Sequence, residues 1–322
     1  MMGGESEERT PITKRTIGVV IEDGTTDQMM STIKRADSAG VPAAWMISVA
    51  GHDVLTMYAA AAVQTEQIRL GTSVVRTMAR HPITLAEQAR TIWDLAPGRL
   101  ALGVGPAHKS SVNHDFGLPY DKPLGYLEEY MEVLNALLKK GKVDYEGKLI
   151  TARFEMDGGI DIPIYASALR EKSFELCGRV ADGAITWVCP LDYVRDVGMP
   201  ALKKGADDAG RPTPEMLVHV PVCVTDDEPT AQAALRASLE YFPYTPNYAA
   251  MFELSGFPNS DKTGWTDDLA NAVMVWGNAE TVQRRLNELF EWGASELVVT
   301  VLGGKGESWD RTASVLAELS RS

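Results

Sequence analysis

The chain has 322 residues, 45% of them hydrophobic and 23% charged, which suits a soluble α/β core and argues against disorder. Thirty-one basic residues against 44 acidic give a net charge of −13, so nucleic acid or any other polyanion meets net repulsion. The cysteines Cys177, Cys189 and Cys223 form no CxxC pair, no apolar run reaches the roughly 18 residues of a membrane span, and residues 1–15 read as a flexible polar tail without a signal peptide's apolar centre; a cytoplasmic protein with no membrane partner is expected.

From Thr16 onward, apolar runs alternate with helical periods. Thr16–Ile21 is a strand ending at Glu22-Asp23-Gly24, and Thr26–Ala39 is a helix with Met29, Met30, Ile33 and Ala36 at successive turns, closed by Gly40. Ala43–Ile47 is a second strand, Asp53 caps a helix running to Gln64, and Ile68–Val75 is a third strand. Pro82 opens and Pro97-Gly98 closes a helix whose apolar stripe is Leu85, Ala89, Ile92 and Ala96. The fourth strand, Leu100–Val104, is short and wholly apolar, as a sheet covered on both faces requires. It stops at Gly105-Pro106, and the small or polar residues Ala107 to Ser111 follow. In parallel α/β folds ligands bind at that end of a strand, so this loop marks a candidate site.

After an excursion over 113–122 comes a helix, Leu124–Lys140, and then a hairpin over Tyr145–Arg153 that stands outside the repeat. The strands Ile162–Ala166, Gly183–Val188 and Met216–Thr225 each lead into a helix: Arg170–Ala181, Tyr193–Gly210 and Glu228–Leu239. The block 241–275 is aromatic and polar with no clear period. Asn278 then caps a helix closed by Gly293, and Glu296–Leu302 is the eighth strand. Eight strands alternating with eight helical segments predict a (β/α)8 TIM barrel, one domain over 16–322, with 241–275 inserted at its carboxyl-end face.

Several residues stand at predicted strand ends. In the Tyr165–Ser173 loop, backbone N–H groups at a helix N-terminus, with Ser167 beside them, can cradle a phosphate. Arg170 and Lys172 sit where the helix dipole disfavours cations, which points to an anionic guest; the other reading is solvated charges paired with Glu171. His108 can donate or accept a proton near pH 7, or serve as a structural hydrogen-bonder. Glu22 either lines a pocket or belongs to a solvated turn. Trp45 and Trp187 are candidate substrate-pocket residues, Trp187 being equally readable as core. His81, ahead of Pro82, positions a loop. No HxH, HExxH or clustered carboxylates occur at ligand spacing, so no metal is inferred, and Gly103-Val104-Gly105 is not a GxGxxG nicotinamide fingerprint.

Taken in order, Arg69-Leu-Gly-Thr-Ser-Val74, His81-Pro82 with Leu85-Ala-Glu-Gln88, Gly98-Arg-Leu-Ala-Leu-Gly-Val-Gly105, Phe116-Gly-Leu-Pro-Tyr120, Tyr145-Glu-Gly147 and Gly178-Arg-Val-Ala-Asp-Gly-Ala184 carry a resemblance. From about Ile17 to Leu302 the chain resembles the bacterial luciferase-like superfamily of TIM barrels. Within it, the chain looks most like the branch that uses the deazaflavin coenzyme F420, that of methylenetetrahydromethanopterin reductase and the F420-dependent dehydrogenases.

The resemblance implies an F420-dependent oxidoreductase that transfers a hydride between the coenzyme and a small organic molecule, and a homodimer. It implies a non-prolyl cis peptide and bulge at Ser73-Val74 that support the ring, with Gly105, Pro106, Ala107, Lys109, Ser167, Ala168, Leu169 and Lys172 also toward the cofactor. Related barrels often hold glycines where Ala168 and Leu169 stand here. His108 occupies the place of an acidic residue implicated in proton transfer in a sugar-phosphate dehydrogenase of that branch, which makes His108, with Glu22 as second candidate, the catalytic expectation. That dehydrogenase also has a histidine after its second strand, where this chain has Ile47-Ser48-Val49, so the sugar-phosphate reaction is not carried over. The alternatives are an FMN-dependent luciferase-like monooxygenase and a barrel that binds a ligand without chemistry.

Overall fold

A computed structural model describes residues 15–22, 24–48, 51–303, 312, 315 and 316. Residues 1–14 of the expected tail, Asp23 and Val49 lie outside the described residues. The apolar runs form eight parallel strands: β1 (Thr16–Ile21), β2 (Ala43–Met46), β3 (Arg69–Thr72), β4 (Leu100–Gly105), β5 (Ile164–Ser167), β6 (Gly183–Ile185), β7 (Glu215–Val224) and β8 (Glu296–Val301). Each pairs with the next in chain order, and β8 returns to β1 through Thr16↔Glu296 to Val19↔Val299, which closes the barrel. Closure leaves the ring no open edge. Two apolar cores result. One, between strands and helices, includes Val19, Ile33, Leu85, Leu134 and Leu286; the other fills the ring with Val20, Ala43, Trp45, Ala101, Tyr165, Ile185, Leu217 and Val298. The alternation of side chains along each strand produces this division.

The helices start where their cap residues predict. Asp53 accepts from the Thr56 amide at 2.8 Å, Asn278 from the Thr281 amide at 2.9 Å, and the helix Pro82–Leu95 begins after His81, whose Nδ1 accepts from the Ile83 amide at 3.3 Å. The hairpin joins Lys142–Glu146 to Thr151–Glu155, and the Glu129 carboxylate holds its turn by accepting from the amides of Lys148, Leu149 and Ile150.

Four departures from the sequence reading matter for the site. The third strand does not run unbroken to Val75 as its apolar run suggests: it stops at Thr72, passes the Ser73-Val74 bond, which is cis as the family resemblance implies, and resumes over Val75–Arg76 with its register on β4 slipped by one residue. At the break the Thr72 hydroxyl replaces the backbone ladder, donating to the Gly103 carbonyl at 2.7 Å and accepting from its amide at 2.8 Å. The sixth strand ends at Ile185, because Thr186 turns to bond β7: its amide donates to Leu217 O and its hydroxyl accepts from the His219 amide. The helix expected over Tyr193–Gly210 is helical over Leu191–Tyr193, widens through a π turn at Val194–Gly198 and continues as Met199–Asp208. Finally, the aperiodic block holds the helices Pro246–Leu254, Ser260–Thr263 and Asp267–Val273, and Val275–Gly277 just beyond pairs in parallel with the far end of β7 outside the ring. Its shortness and Gly277 hid that strand in the sequence.

Candidate active site

Chain leaving the carboxyl ends of the strands surrounds a cavity of about 980 Å³. This is the size of a site for a ligand of cofactor dimensions. β1 contributes Ile21 and Glu22, β2 Ile47 and Ser48, and the broken third strand Ser73, Val74 and Arg76. The loop after β4 supplies Pro106, Ala107, His108 and Ser111, and the start of the next helix Leu124 and Leu127. Ser167 to Ser173 come from β5, and Ile185, Thr186 and Trp187 from β6. Phe242, Asn247, Tyr248 and Leu254 reach in from the insertion after β7.

Of the residues the sequence singled out, Glu22, Ser73, Val74, Pro106, Ala107, His108, Ser167, Ala168, Leu169, Lys172 and Trp187 meet around this one cavity. Three do not line it. Trp45 is wholly buried inside the barrel, where Gly18 and Gly71 leave room for its indole; its Nε1 donates to Glu296 Oε1 at 2.8 Å and Arg69 lies over its ring. Glu296 and Arg69 both begin their strands, so Trp45 points to the amino end of the barrel, away from the site. Lys109, the first residue of a short helix, is exposed and turned from the cavity. Gly105 is buried behind the wall, where a Cβ would run into the Ser167 hydroxyl and Val74.

The loop after β5 is only partly the amide cradle expected. The Ala168 amide is spent on Ile185 O, and those of Leu169 and Arg170 donate to Ser173 Oγ at 3.0 Å each. The first amide not committed to main chain or a side chain is that of Lys172, at the start of the ten-residue helix Glu171–Val180, since the Glu171 amide faces the Tyr193 hydroxyl. Beside the Glu171 amide lies the buried hydroxyl of Tyr193. Arg170 and Lys172 are exposed at the same place, with no carboxylate in ion-pair contact among the described residues. The cations and helix end thus face solvent and cavity together, a setting that favours an anion.

His108 is half-buried, and burial pulls its imidazole below the ordinary value, so it is neutral at pH 7. Its ring lies 5.8 Å from that of Tyr248 and 6.4 Å from that of Phe242. Phe242 stands edge-on to Tyr248 at 4.8 Å and to Trp187 at 5.6 Å. The Tyr120 hydroxyl steadies the preceding turn by donating to Ala107 O at 2.9 Å. On the same cavity, the buried Ser73 hydroxyl has no hydrogen-bond partner among the described residues, so a polar ligand atom is the natural one.

Beneath Trp187 is a residue the sequence reading missed. His219 on β7 is wholly buried with its ring centroid 3.8 Å from that of Trp187, and its Nε2 lies 2.8 Å from Thr300 Oγ1. Burial holds the imidazole well below its ordinary value, hence neutral. The available signal was a lone polar residue in the apolar run Met216–Val224. Arg76, Tyr120 and Ser48 were missed as well, since the resumed third strand and the loops after β4 and β2 bring them in.

Comparison with known proteins bears out the barrel fold. The model of the luciferase-like monooxygenase family matches residues 13–296. A 5,10-methylenetetrahydromethanopterin reductase of Methanolobus tindarius is 26% identical over 290 residues, 82% of this chain and 87% of the relative. The solved coenzyme F420 dependent tetrahydromethanopterin reductase of Methanopyrus kandleri superposes with a TM-score of 0.75 at 22% identity, covering 95% of this chain and 97% of that one. An F420-dependent secondary alcohol dehydrogenase, solved with an F420–acetone adduct, gives a TM-score of 0.78 at 18% identity, covering 95% and 98%. With nearly the whole barrel matched, the chain belongs to the luciferase-like monooxygenase family.

Proposed function

We propose that this protein is an F420-dependent oxidoreductase acting on a small organic substrate. The observation that carries the reading is a single cavity that brings a cation-flanked helix N-terminus together with a half-buried, neutral imidazole. The names of the similar reductases and of the alcohol dehydrogenase support it. The residues present fit a phosphate-bearing, acidic cofactor: Ser167 and the Lys172 amide can take its phosphate, and Arg170 and Lys172 its negative charge. Ser73 and Val74 would support its ring, with the unpaired Ser73 hydroxyl available to a ring heteroatom.

When bound, a deazaflavin supplies a carbon that gives or takes a hydride, a two-electron transfer. The chain's own part is to orient and to handle the proton. His108, neutral and set at the cavity wall, accepts a proton at a ring nitrogen when substrate is oxidised and returns one when it is reduced. Glu22, on the wall at the end of β1, is the second candidate for this task. The apolar liners Ile21, Ile47, Leu127 and Ile185 exclude water from the reacting carbon.

A titration tests the reading. Saturable quenching of F420 fluorescence by the purified protein is the expected result, and release of yellow FMN from the protein with no response to F420 would turn the assignment to the flavin-dependent alternative.

A further inference from the structure

Charge is unevenly distributed around the cavity. Its charged liners, Glu22, Arg76, Arg170, Glu171 and Lys172, follow β1, the third strand and β5. Everything that enters after β7 is uncharged: Ala237, Ser238, Leu239, Phe242, Asn247, Tyr248 and Leu254. Phe242 and Tyr248 join Trp187 and His108 in one continuous series of ring contacts, the closest at 4.8 Å. The neutral His108 adds no charge to that series. His219, stacked beneath Trp187 and held by Thr300, supports its inner end.

We propose that the ring series Trp187, Phe242, Tyr248 and His108 is the substrate subsite and that it selects a neutral, apolar substrate with a flat unsaturated or aromatic group. The inference rests on the oxidoreductase reading above, in which the cationic end is taken by the cofactor. A flat group stacks edge or face against these rings and gains from their quadrupoles as well as from buried area. A carboxylate or phosphate on the same substrate loses its hydration among rings that carry no charge of their own, Arg76 lying over the Phe116 ring instead, so the wall disfavours it. Phe242 and Tyr248 are then the specificity-determining residues. They lie on the insertion, apart from the strands that build the cationic end.

The test compares 2-acetylnaphthalene with 2-naphthoate, two probes alike in shape and different in charge, by calorimetric titration of the cofactor-free protein in phosphate buffer, which covers the Arg170 and Lys172 end. The neutral probe is expected to bind at least ten-fold more tightly than the anion. Phe242→Ala and Tyr248→Ala should each weaken the neutral probe five-fold or more, Tyr248→Phe should restore its binding, and F420 quenching should stay within two-fold of wild type in all three. Circular dichroism confirms that each variant is folded, and the Tyr248→Phe protein keeps the test decisive if an alanine variant is not. Equal binding of the two probes, or a neutral probe indifferent to both alanine variants, overturns the proposal. Loss of F420 binding in step with the neutral probe also overturns it, since the wall would then belong to the cofactor. If F420 fails to bind even the wild type while the probes behave as expected, the aromatic wall stands and the deazaflavin reading is what falls.

Discussion

His108 and Lys172 line one cavity on different loops and should separate in their effects. General acid–base catalysis contributes about 10²- to 10⁴-fold, so His108→Ala should slow single-turnover hydride transfer by roughly that factor and leave F420 affinity close to wild type. Because burial lowers the His108 pKa, the neutral ring predominates at pH 7: substrate oxidation, which needs a base, should be flat near neutrality and decline as the pH falls below the ordinary imidazole range. Lys172→Ala should do the reverse, weakening F420 binding with little change in turnover at saturation. Its exposure keeps the loss to about 1 kcal/mol or less, the range of a solvent-screened ion pair. If His108→Ala reacts at the wild-type rate with saturating cofactor, the proton passes elsewhere and Glu22 is the next residue to change.

The element on which the site depends is the broken third strand, seated on β4. Gly105 allows it: a Cβ there would press on Val74 and on the Ser167 hydroxyl, the first belonging to the break and the second to the anion-favouring end. Gly105→Ala should therefore cost about 1–3 kcal/mol of stability by overpacking, seen as a lower Tm, and should weaken F420 binding at the same time. An unchanged Tm with unchanged binding would show that the two strands have slack at this point. Helix caps, strand identities and the Pro82–Leu95 boundaries were readable from residues because each depends on neighbours three or four positions away. The break itself was not: Ile68 to Val75 is an unremarkable apolar run, and only the family resemblance marked Ser73-Val74.

At the scale of the whole molecule, the barrel closes over a buried polar cluster at its amino end. Glu296 bonds Arg69 and the Trp45 indole, and the Tyr165 hydroxyl donates to Glu215 Oε2 at 2.7 Å. These residues come from β8, β3, β2, β5 and β7, so the cluster ties most of the ring together. Glu296→Ala leaves Arg69 without its carboxylate partner and the indole N–H unpaired, and should destabilise by about 3–5 kcal/mol in chemical denaturation with little effect on ligand binding at the other end. His219 adds a pH dependence. Its folded pKa is depressed below the unfolded value of about 6.5, so the unfolded chain takes up the proton first. Stability is fully present above that value and is lost as pH falls below it, with His108 acting in the same direction. Unfolding of wild type at pH 7.5 and 5.5 should differ by more than that of His219→Gln, and equal differences would assign the acid sensitivity to other groups.

The sequence by itself determined the eight-unit alternation, most element boundaries to within a few residues, and the strand ends that carry Glu22, Ser73, His108, Ser167 and Trp187. It could do so because amphipathic period, caps and turn residues are local signals, and because a parallel barrel places every such end at one mouth. Tertiary structure decided the rest. Trp45 looked like a pocket residue until pairing with Glu296 turned it toward the opposite end; the amides of Ala168, Leu169 and Arg170 looked free until Ile185 and Ser173 took them. Likewise the Phe242–Tyr248 wall joins the site only because the insertion after β7 folds across to the loop after β4, and His219 only because the end of β6 lays Trp187 over it. Which way a side chain such as Trp45 faces, and that the Ala168 amide already has an acceptor, are set by partners far away in the chain that no local pattern records, while the nearby Ser173 cap competes with an open cradle for the same two amides.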